Sequence, residues 1–138
     1  MAGTTKLGFI VQRPGYKSEN PKLALTHAIA SQSVEIYLED EEEVLCDVAF
    51  VGDGVLNCIK DQKAVENYDL NSTESHIKMA LLCDMNVLVC KEDLDRFGLS
   101  EKDIVLDAPE FGADVDVKVV PYDDINKMME DVDHLLFF

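Results

Sequence analysis

The sequence predicts a three-layer α/β/α protein built on a five-stranded, mainly parallel sheet, which is the flavodoxin-like architecture. Five short apolar runs alternate with helical or polar stretches, a rhythm typical of a parallel sheet covered by helices. The 138 residues fit one compact domain, because domains cluster at roughly 100 to 150 residues. We therefore expect a single domain over residues 1–138, with a core that needs neither a disulfide nor a metal.

The first half of the chain supplies two predicted strands and the helix between them. Residues 7–11 are apolar and predict the first strand, and Asn20 can cap the helix that follows. Residues 34–38 alternate like a strand, but we favour a continuation of the helix. Residues 47–51 predict the second strand, and the glycines within residues 52–54 turn the chain into a short helical piece.

The second half supplies three strands and two helices. Asn71 is predicted to cap the first of these helices. Residues 85–90 are almost continuously apolar, which predicts a central strand buried on both faces. Valines within residues 115–120 predict the fourth strand, and an aspartate, Asp123 or Asp124, is expected to cap the last helix. Residues 134–138 predict the last strand.

The charge balance is strongly acidic. The chain has 28 Asp and Glu residues against 12 Lys and Arg, a formal charge of -16. Direct binding to nucleic acid needs clusters of Lys and Arg, and the sequence has none. The run from Glu39 to Glu43 is interpreted as a solvated connection, with an acidic docking surface for a basic partner as the alternative. Neither a leader pattern nor a membrane-spanning apolar window occurs, so we expect a cytoplasmic protein.

Metal and cofactor sites have little support in the sequence. The four cysteines form no CxxC pair and are expected to be free thiols in a reducing compartment. His27, His76 and His134 are dispersed, without metal-ligand spacing. No GxGxxG or P-loop pattern occurs, so we expect no cofactor. A flavin-binding or nucleotide-binding module on the same architecture is the distant alternative.

Reactive groups of parallel α/β sheets gather at the carboxyl ends of the strands. The loops that qualify are residues 12–20, residues 52–55 and the stretch that begins at Cys90. Cys90 ends the third predicted strand and precedes a short helical turn, so it is the candidate reactive residue. The other three cysteines are interpreted as structural.

Two interpretations of Cys90 compete. Helix N-terminal amides, together with Lys91 or Arg96, would favour the thiolate that attacks sulfane sulfur. Alternatively, Cys90 is a small apolar side chain that finishes a buried run, because unpaired cysteine is among the most buried residue types. Glu92 and Asp93 favour the second interpretation, since nearby carboxylates oppose a thiolate.

Three stretches of the chain carry the most specific patterns. Residues 48–55 (VAFVGDGV) read as a strand followed by DGV, residues 87–99 (VLVCKEDLDRFGL) place a cysteine at a strand end, and residues 133–138 (DHLLFF) form a short closing strand. In this order they resemble the DsrE/DsrF/DsrH and TusB/TusC/TusD sulfur-relay family. The resemblance runs from Lys6 to Phe138 and is greatest to the DsrF/TusC branch.

The resemblance implies a cytoplasmic relay that passes persulfide sulfur between proteins, toward thiolation of the tRNA wobble uridine or sulfur oxidation. It implies a hexamer with DsrE/TusD-like and DsrH/TusB-like subunits or with copies of itself, and a downstream sulfur carrier protein. The reactive cysteine of the DsrE/TusD branch precedes a glycine by eight residues, as Cys90 precedes Gly98. DsrF/TusC-like members are non-catalytic partners. The expected function is therefore that of a partner subunit, with a sulfurtransferase that carries persulfide on Cys90 as the alternative.

Overall fold

A computed structural model describes residues 3–14, 19–32, 42–62, 72–105 and 108–138 of the protein. The strands are β1 (Gly3–Val11), β2 (Glu42–Phe50), β3 (Asn86–Cys90), β4 (Lys118–Val120) and β5 (His134–Phe137). They form one sheet in the order β4-β3-β2-β1-β5, and every neighbouring pair is parallel. The predicted five-stranded α/β fold is confirmed.

In the described ranges, four α-helices and three 3₁₀ helices accompany the sheet. The α-helices are α1 (Asn20–Gln32), α2 (Thr73–Leu82), α3 (Lys91–Arg96) and α4 (Tyr122–Glu130). The 3₁₀ helices cover Gly52–Cys58, Glu101–Asp103 and Ala108–Phe111. Within the described ranges, no helix is long and apolar enough to cross a membrane.

The helices divide between the two faces of the sheet. Phe9 of β1 stacks on Phe138, whose ring lies 6.4 Å from that of His27 in α1, so Phe9 faces α1. Gly8 points to the opposite face, because successive residues of a strand alternate. There a Cβ on Gly8 would lie 2.6 Å from Met129 Sδ of α4. Thus α4 packs on the opposite face from α1, as right-handed crossovers require when the strand order reverses.

The core lies on both sides of the middle strands. β2 occupies the central position of the sheet, and β3 lies beside it. The prediction that residues 85–90 form a buried strand is therefore correct, since Val87 to Cys90 are all buried. The predicted central position is occupied by β2, and β3 is its neighbour. The largest fully buried side chains include Phe9, Phe50, Leu25, Ile77, Leu81 and Leu88.

The predicted helix caps differ from those in the structure. Asn71 lies outside the described residues, and the cap of α2 is Ser72, whose hydroxyl accepts a backbone N–H of the first turn at 3.1 Å. α4 begins after Pro121, with Asp123 and Asp124 in its first turn. Their charges there still favour the helix, because its N-terminal end carries partial positive charge.

The strands extend beyond their apolar parts. The predicted helix over residues 34–38 and most of the acidic run lie outside the described residues, but Glu42 and Glu43 begin β2. β1 likewise begins at Gly3, which pairs with Glu42. Backbone hydrogen bonds between the two strands hold these polar ends in the sheet. The acidic run is therefore not wholly a connection between elements.

Candidate functional site

The carboxyl ends of the strands surround a cavity of about 650 Å³. Each of the three predicted loops contributes to its lining, through Gln12, Gly52 and Asp93. On the sheet side the cavity is lined by Ile10 and Val51, and α4 supplies further apolar side chains. This is the position at which open α/β sheets bind ligands, next to the point where the strand order reverses.

The turn after β2 lies against the end of β1. Gly52 has a φ of +56°, which favours glycine because a Cβ is strained in the left-handed region. At Gly54, a Cβ would collide with the carbonyl oxygen of Val11. The Gly54 N–H donates to the carbonyl of Val51 at 2.9 Å. Both glycines are thus needed to start the 3₁₀ helix so close to the neighbouring strand.

A polar cluster ties this turn to α3, and we name Gly52, Asp53, Asp93 and Arg96 the Asp93 cluster. The Gly52 N–H donates to Asp93 Oδ2 at 2.6 Å. Arg96 Nε lies 3.4 Å from Asp93 Oδ1, and Arg96 Nη2 lies 3.3 Å from Asp53 Oδ1. The cluster joins the loop after β2 to the helix after β3.

The charge state of Asp93 follows from its contacts. Burial raises the pKa of its carboxyl, but hydrogen bonds from the Gly52 N–H and the Cys90 thiol, together with the charge and hydrogen bond of Arg96, outweigh burial and lower the pKa. Asp93 is therefore ionised at neutral pH. Its negative charge lies directly beside Cys90.

Cys90 lies where the sequence predicted it, at the end of β3 and the start of α3. Its residue surface is only 1% exposed, and its Sγ lies 4.0 Å from Glu92 Oε1. Burial raises the pKa of the thiol to about 11, and the charges of Asp93 and Glu92 act in the same direction. A hydrogen bond from the Asp93 backbone N–H opposes them without prevailing. In this conformation Cys90 is a buried, protonated thiol.

The basic residues expected to favour a thiolate do not act on Cys90. Arg96 pairs with Asp53 and Asp93, and its guanidinium carbon lies 4.4 Å from the centroid of the Phe97 ring. Lys91 is exposed. The carboxylates occupy the space nearest the sulfur because the first turn of α3 folds back over its own cap residue. The expectation that Lys91 or Arg96 activates the thiol is therefore not supported by the geometry.

Asp93 separates the thiol from the cavity. Leu88 of β3 aligns with Ala49 of β2, which aligns with Ile10 of β1 in the cavity wall. These residues therefore lie on the face of the sheet that α4 covers. Cys90, two residues after Leu88, lies on the same face. Asp93 bonds the thiol and also lines the cavity. Asp93 is therefore a group that touches both the thiol and the cavity.

A second link holds α3 in place. Both oxygens of the Glu92 carboxylate accept the backbone N–H of Tyr122, at 3.0 and 3.2 Å. Tyr122 is the first residue of α4. The short helix over Cys90 is thus anchored to β2 through Asp93 and to α4 through Glu92.

The remaining cysteines lie apart from this site. Cys46 and Cys58 are buried. Burial, and next the charge of Asp47, raise the pKa of Cys46 to about 11, and burial alone raises the pKa of Cys58. Cys83 is partly exposed at the end of α2. In the described part of the chain, no group of three or more His, Cys, Asp or Glu side chains could hold a metal ion.

Sequence reasoning missed the role of Asp93 and Asp53. It weighed Asp93 only as a charge near Cys90, whereas the carboxylate also holds the turn after β2. The available signal was the convergence of strand-end loops, which brings an N–H of residues 52–54 close to acids that follow Cys90. Geometry was needed to identify the partners.

Solved structures with the same fold were found by comparison. The YchN protein of E. coli superimposes with a TM-score of 0.68 at 18% identity, covering 98% of this chain and 99% of that chain. MTH1491 of Methanobacterium thermoautotrophicum gives 0.55 at 17% identity, with coverages of 96% and 98%. BT1422 of Bacteroides thetaiotaomicron gives 0.54 at 14% identity, with coverages of 96% and 94%. The last two are described as proteins of unknown function.

The sequence comparison gives the family. A search of the curated proteins found no match. The sequence model of the DsrE/DsrF-like family, however, matches residues 5–138, nearly the whole chain. This match shows that the chain belongs to the DsrE/DsrF-like family.

Proposed function

We propose that this protein is a partner subunit of a cytoplasmic sulfur-relay complex, which binds sulfur-carrying proteins and does not itself carry the sulfur. The observation that supports the partner role is the state of Cys90, which is 1% exposed and has a pKa raised to about 11 by burial. Persulfide transfer requires an accessible thiolate. A thiol in this state is unsuited to accept sulfur directly.

The exposed apolar residues at one side of the fold support a role in assembly. Leu135 and Phe137 of β5 and Tyr122 of α4 are 41%, 63% and 46% exposed. Large apolar side chains that cluster on a surface mark interaction sites. We propose that this surface contacts the sulfur-carrying proteins of the relay, and that the chain assembles through other faces with DsrE/TusD-like and DsrH/TusB-like subunits, or with copies of itself, in a hexamer.

Light scattering coupled to gel filtration tests this proposal. The protein is mixed with a DsrE-like and a DsrH-like protein of the same genome, and the mass of each eluting species is measured. We expect a complex that contains all three chains. A protein that stays monomeric and never co-elutes with either candidate would contradict the proposal.

The alternative is a sulfurtransferase that carries persulfide on Cys90. The Asp93 backbone N–H already donates to the sulfur, which lowers the thiol pKa, and Asp93 contacts the cavity. After displacement of Asp93, the Cys90 thiolate would attack the sulfane sulfur of a donor persulfide. The donor S–S bond would break and release the donor thiolate, and an acceptor thiolate would later take the same sulfur and release Cys90, with no net oxidation.

Intact mass spectrometry separates the two functions. The wild type and Cys90→Ser are incubated with a persulfide donor and quenched with an alkylating reagent. The partner role predicts no sulfur added at Cys90 in the isolated chain. One added sulfur on the wild type that Cys90→Ser lacks would establish the alternative.

A further inference from the structure

The two edges of the sheet are protected to very different degrees. β4, at one edge, is three residues long, starts with Lys118 and is followed by Pro121. Short length, lysine and proline are the devices that prevent unwanted pairing at an edge strand. β5, at the other edge, has the sequence His-Leu-Leu-Phe, without lysine, proline or acid, and all four residues are exposed. β5 is therefore the edge suited to accept a further strand.

The backbone of β5 presents free hydrogen-bonding groups. Phe138 donates its N–H to Ile10 at 2.8 Å and accepts the N–H of Gln12 at 2.8 Å, so both its groups face β1. Successive residues of a strand direct these groups to opposite edges. Leu135 and Phe137 consequently direct their N–H and C=O groups outward, and in the described part of the chain no strand pairs with that edge.

The side chains of the same two residues border the cavity described above. Leu135 and Phe137 align with Gly8 and Ile10 of β1 and line the cavity together with Ile125 of α4. An added strand would therefore gain main-chain hydrogen bonds and, at alternate positions, apolar side-chain contacts with this groove. These are the two components of peptide recognition by strand addition.

We propose that β5 binds an extended segment of a different, basic protein by strand addition, with apolar side chains of the segment in the groove beside Phe137. The charge of this chain determines the occupant. Asp131 and Asp133, which are both exposed, precede β5. The net charge of -16 attracts a basic segment.

A second copy of the chain is a less favourable occupant. Two chains of charge -16 repel each other. Strand addition does not require sulfur transfer by Cys90, so this inference can fail while the proposed function holds, and the reverse.

Fluorescence anisotropy with synthetic peptides tests the inference. The probe is a labelled seven-residue peptide with valine or leucine at alternate positions and lysine at the others. The first control replaces lysine with glutamate, and the second methylates the backbone nitrogens that would face β5. We expect the lysine peptide to bind at least about tenfold more tightly than the glutamate peptide, less so in high salt, and the methylated peptide to show no binding.

Two variants on one strand locate the binding site. Phe137→Lys places a charge at the groove and should abolish binding of the lysine peptide. Leu136→Lys adds the same charge on the opposite face of β5, and binding should fall no more than about threefold from repulsion alone. Circular dichroism checks that both variants fold.

Hydrogen exchange on the wild type gives a readout that needs no variant. The amides of Leu135 and Phe137 should become protected when the lysine peptide is added. The inference is overturned if no lysine peptide binds, if backbone methylation or Phe137→Lys leaves binding unchanged, or if the protein alone forms a dimer that protects these amides.

Discussion

Cys90 and Phe137 of β5 both lie toward the carboxyl ends of their strands, and they differ in exposure and in hydrogen bonding. Cys90 is 1% exposed and surrounded by side chains that hold α3 over it. Phe137 is 63% exposed, beside backbone groups with which no strand among the described residues pairs. The group that could perform chemistry is closed, and the surface that could bind a partner is open. The comparison supports the proposal that the isolated chain binds partner proteins and does not itself carry the sulfur.

The free-energy costs of burying the Cys90 thiol and of exposing the β5 edge support the same conclusion. Burying a neutral thiol costs little free energy, because cysteine behaves as a small apolar side chain. Leaving Leu135 and Phe137 exposed forgoes burial worth roughly 25 cal/mol for each Å² of apolar surface. A partner that covers them recovers part of that free energy. Closure of Cys90 is thus stable in the chain alone, whereas association would stabilise the β5 edge.

Gly54→Ala should produce the largest effect on stability, because it disrupts the turn after β2 to which the helix over Cys90 is bonded. The added Cβ would collide with a backbone carbonyl of β1, which cannot move aside as a flexible side chain would. We expect the free energy of unfolding to fall by about 3 kcal/mol. Urea denaturation followed by circular dichroism measures the change.

Gly98→Ala is the matched control. Gly98 has a φ of +70° and no atom within 4 Å of an added Cβ, so only backbone strain applies, and the cost should be about 1 kcal/mol. Equal losses of unfolding free energy for the two variants would show that the close approach of Gly54 to β1 does not determine the stability of the turn after β2.

Asp93→Asn should increase the reactivity of the Cys90 thiol without removing the hydrogen bond to Gly52. The asparagine oxygen can still accept the Gly52 N–H, but the negative charge that raises the pKa of Cys90 is gone. Each unit by which the thiol pKa falls increases the thiolate fraction about tenfold. The rate of alkylation at pH 8 should rise accordingly, measured by intact mass over time.

The control for this variant is Asp95→Asn on the same helix. Asp95 is exposed and is not among the groups that shift the pKa of Cys90. Its alkylation rate should equal that of the wild type. If Asp93→Asn also leaves the alkylation rate unchanged, the charge of Asp93 does not keep the Cys90 thiol unreactive.

The pH dependence of stability should report the same carboxylate. The pKa of Asp93 is lowered in the folded protein, so its contribution is present above the unfolded value of about 3.9 and is lost as the pH falls below it. We expect the stability difference between wild type and Asp93→Asn to shrink from about pH 4 downward. A difference that stays constant through this range would show that ionised Asp93 contributes nothing.

Arg96→Ala should have the smallest effect. Its ion pairs with Asp53 and Asp93 are solvent-exposed on the arginine side, at 52% exposure, and such pairs contribute about 0.5 kcal/mol. Denaturation in low and high salt measures the loss, which should be smaller at high salt. A loss above about 2 kcal/mol would mean that Arg96 is the main anchor of α3.

Sequence reasoning predicted the elements well where apolar patterns determine them. Residues 85–90 are predicted as a buried strand because they are almost continuously apolar, and Cys90 is placed at its end. Boundaries set by pairing were missed, since Glu42 and Glu43 enter β2 through backbone hydrogen bonds with β1. Local propensity contains no information about such partners.

The candidate site was predicted in position but not in geometry. Convergence of the strand-end loops follows from parallel topology and was expected. The contact from the Gly52 N–H to Asp93 spans 41 residues of sequence, and no local pattern reveals it. The geometry likewise does not support Arg96 as a group that favours the Cys90 thiolate, because Arg96 pairs with Asp53, which is 43 residues away in sequence.

The most direct test of the account is the accessibility of Cys90 in the isolated, folded chain. The protein is incubated with a persulfide donor under native conditions, quenched by alkylation and digested, and each cysteine is read by mass spectrometry; a DsrE-like carrier serves as the positive control. The account predicts that the carrier gains sulfur while Cys90 gains none and is alkylated slowly in the native protein and rapidly only after unfolding. Rapid loading of Cys90 in the native chain, to the level of the carrier, would contradict it.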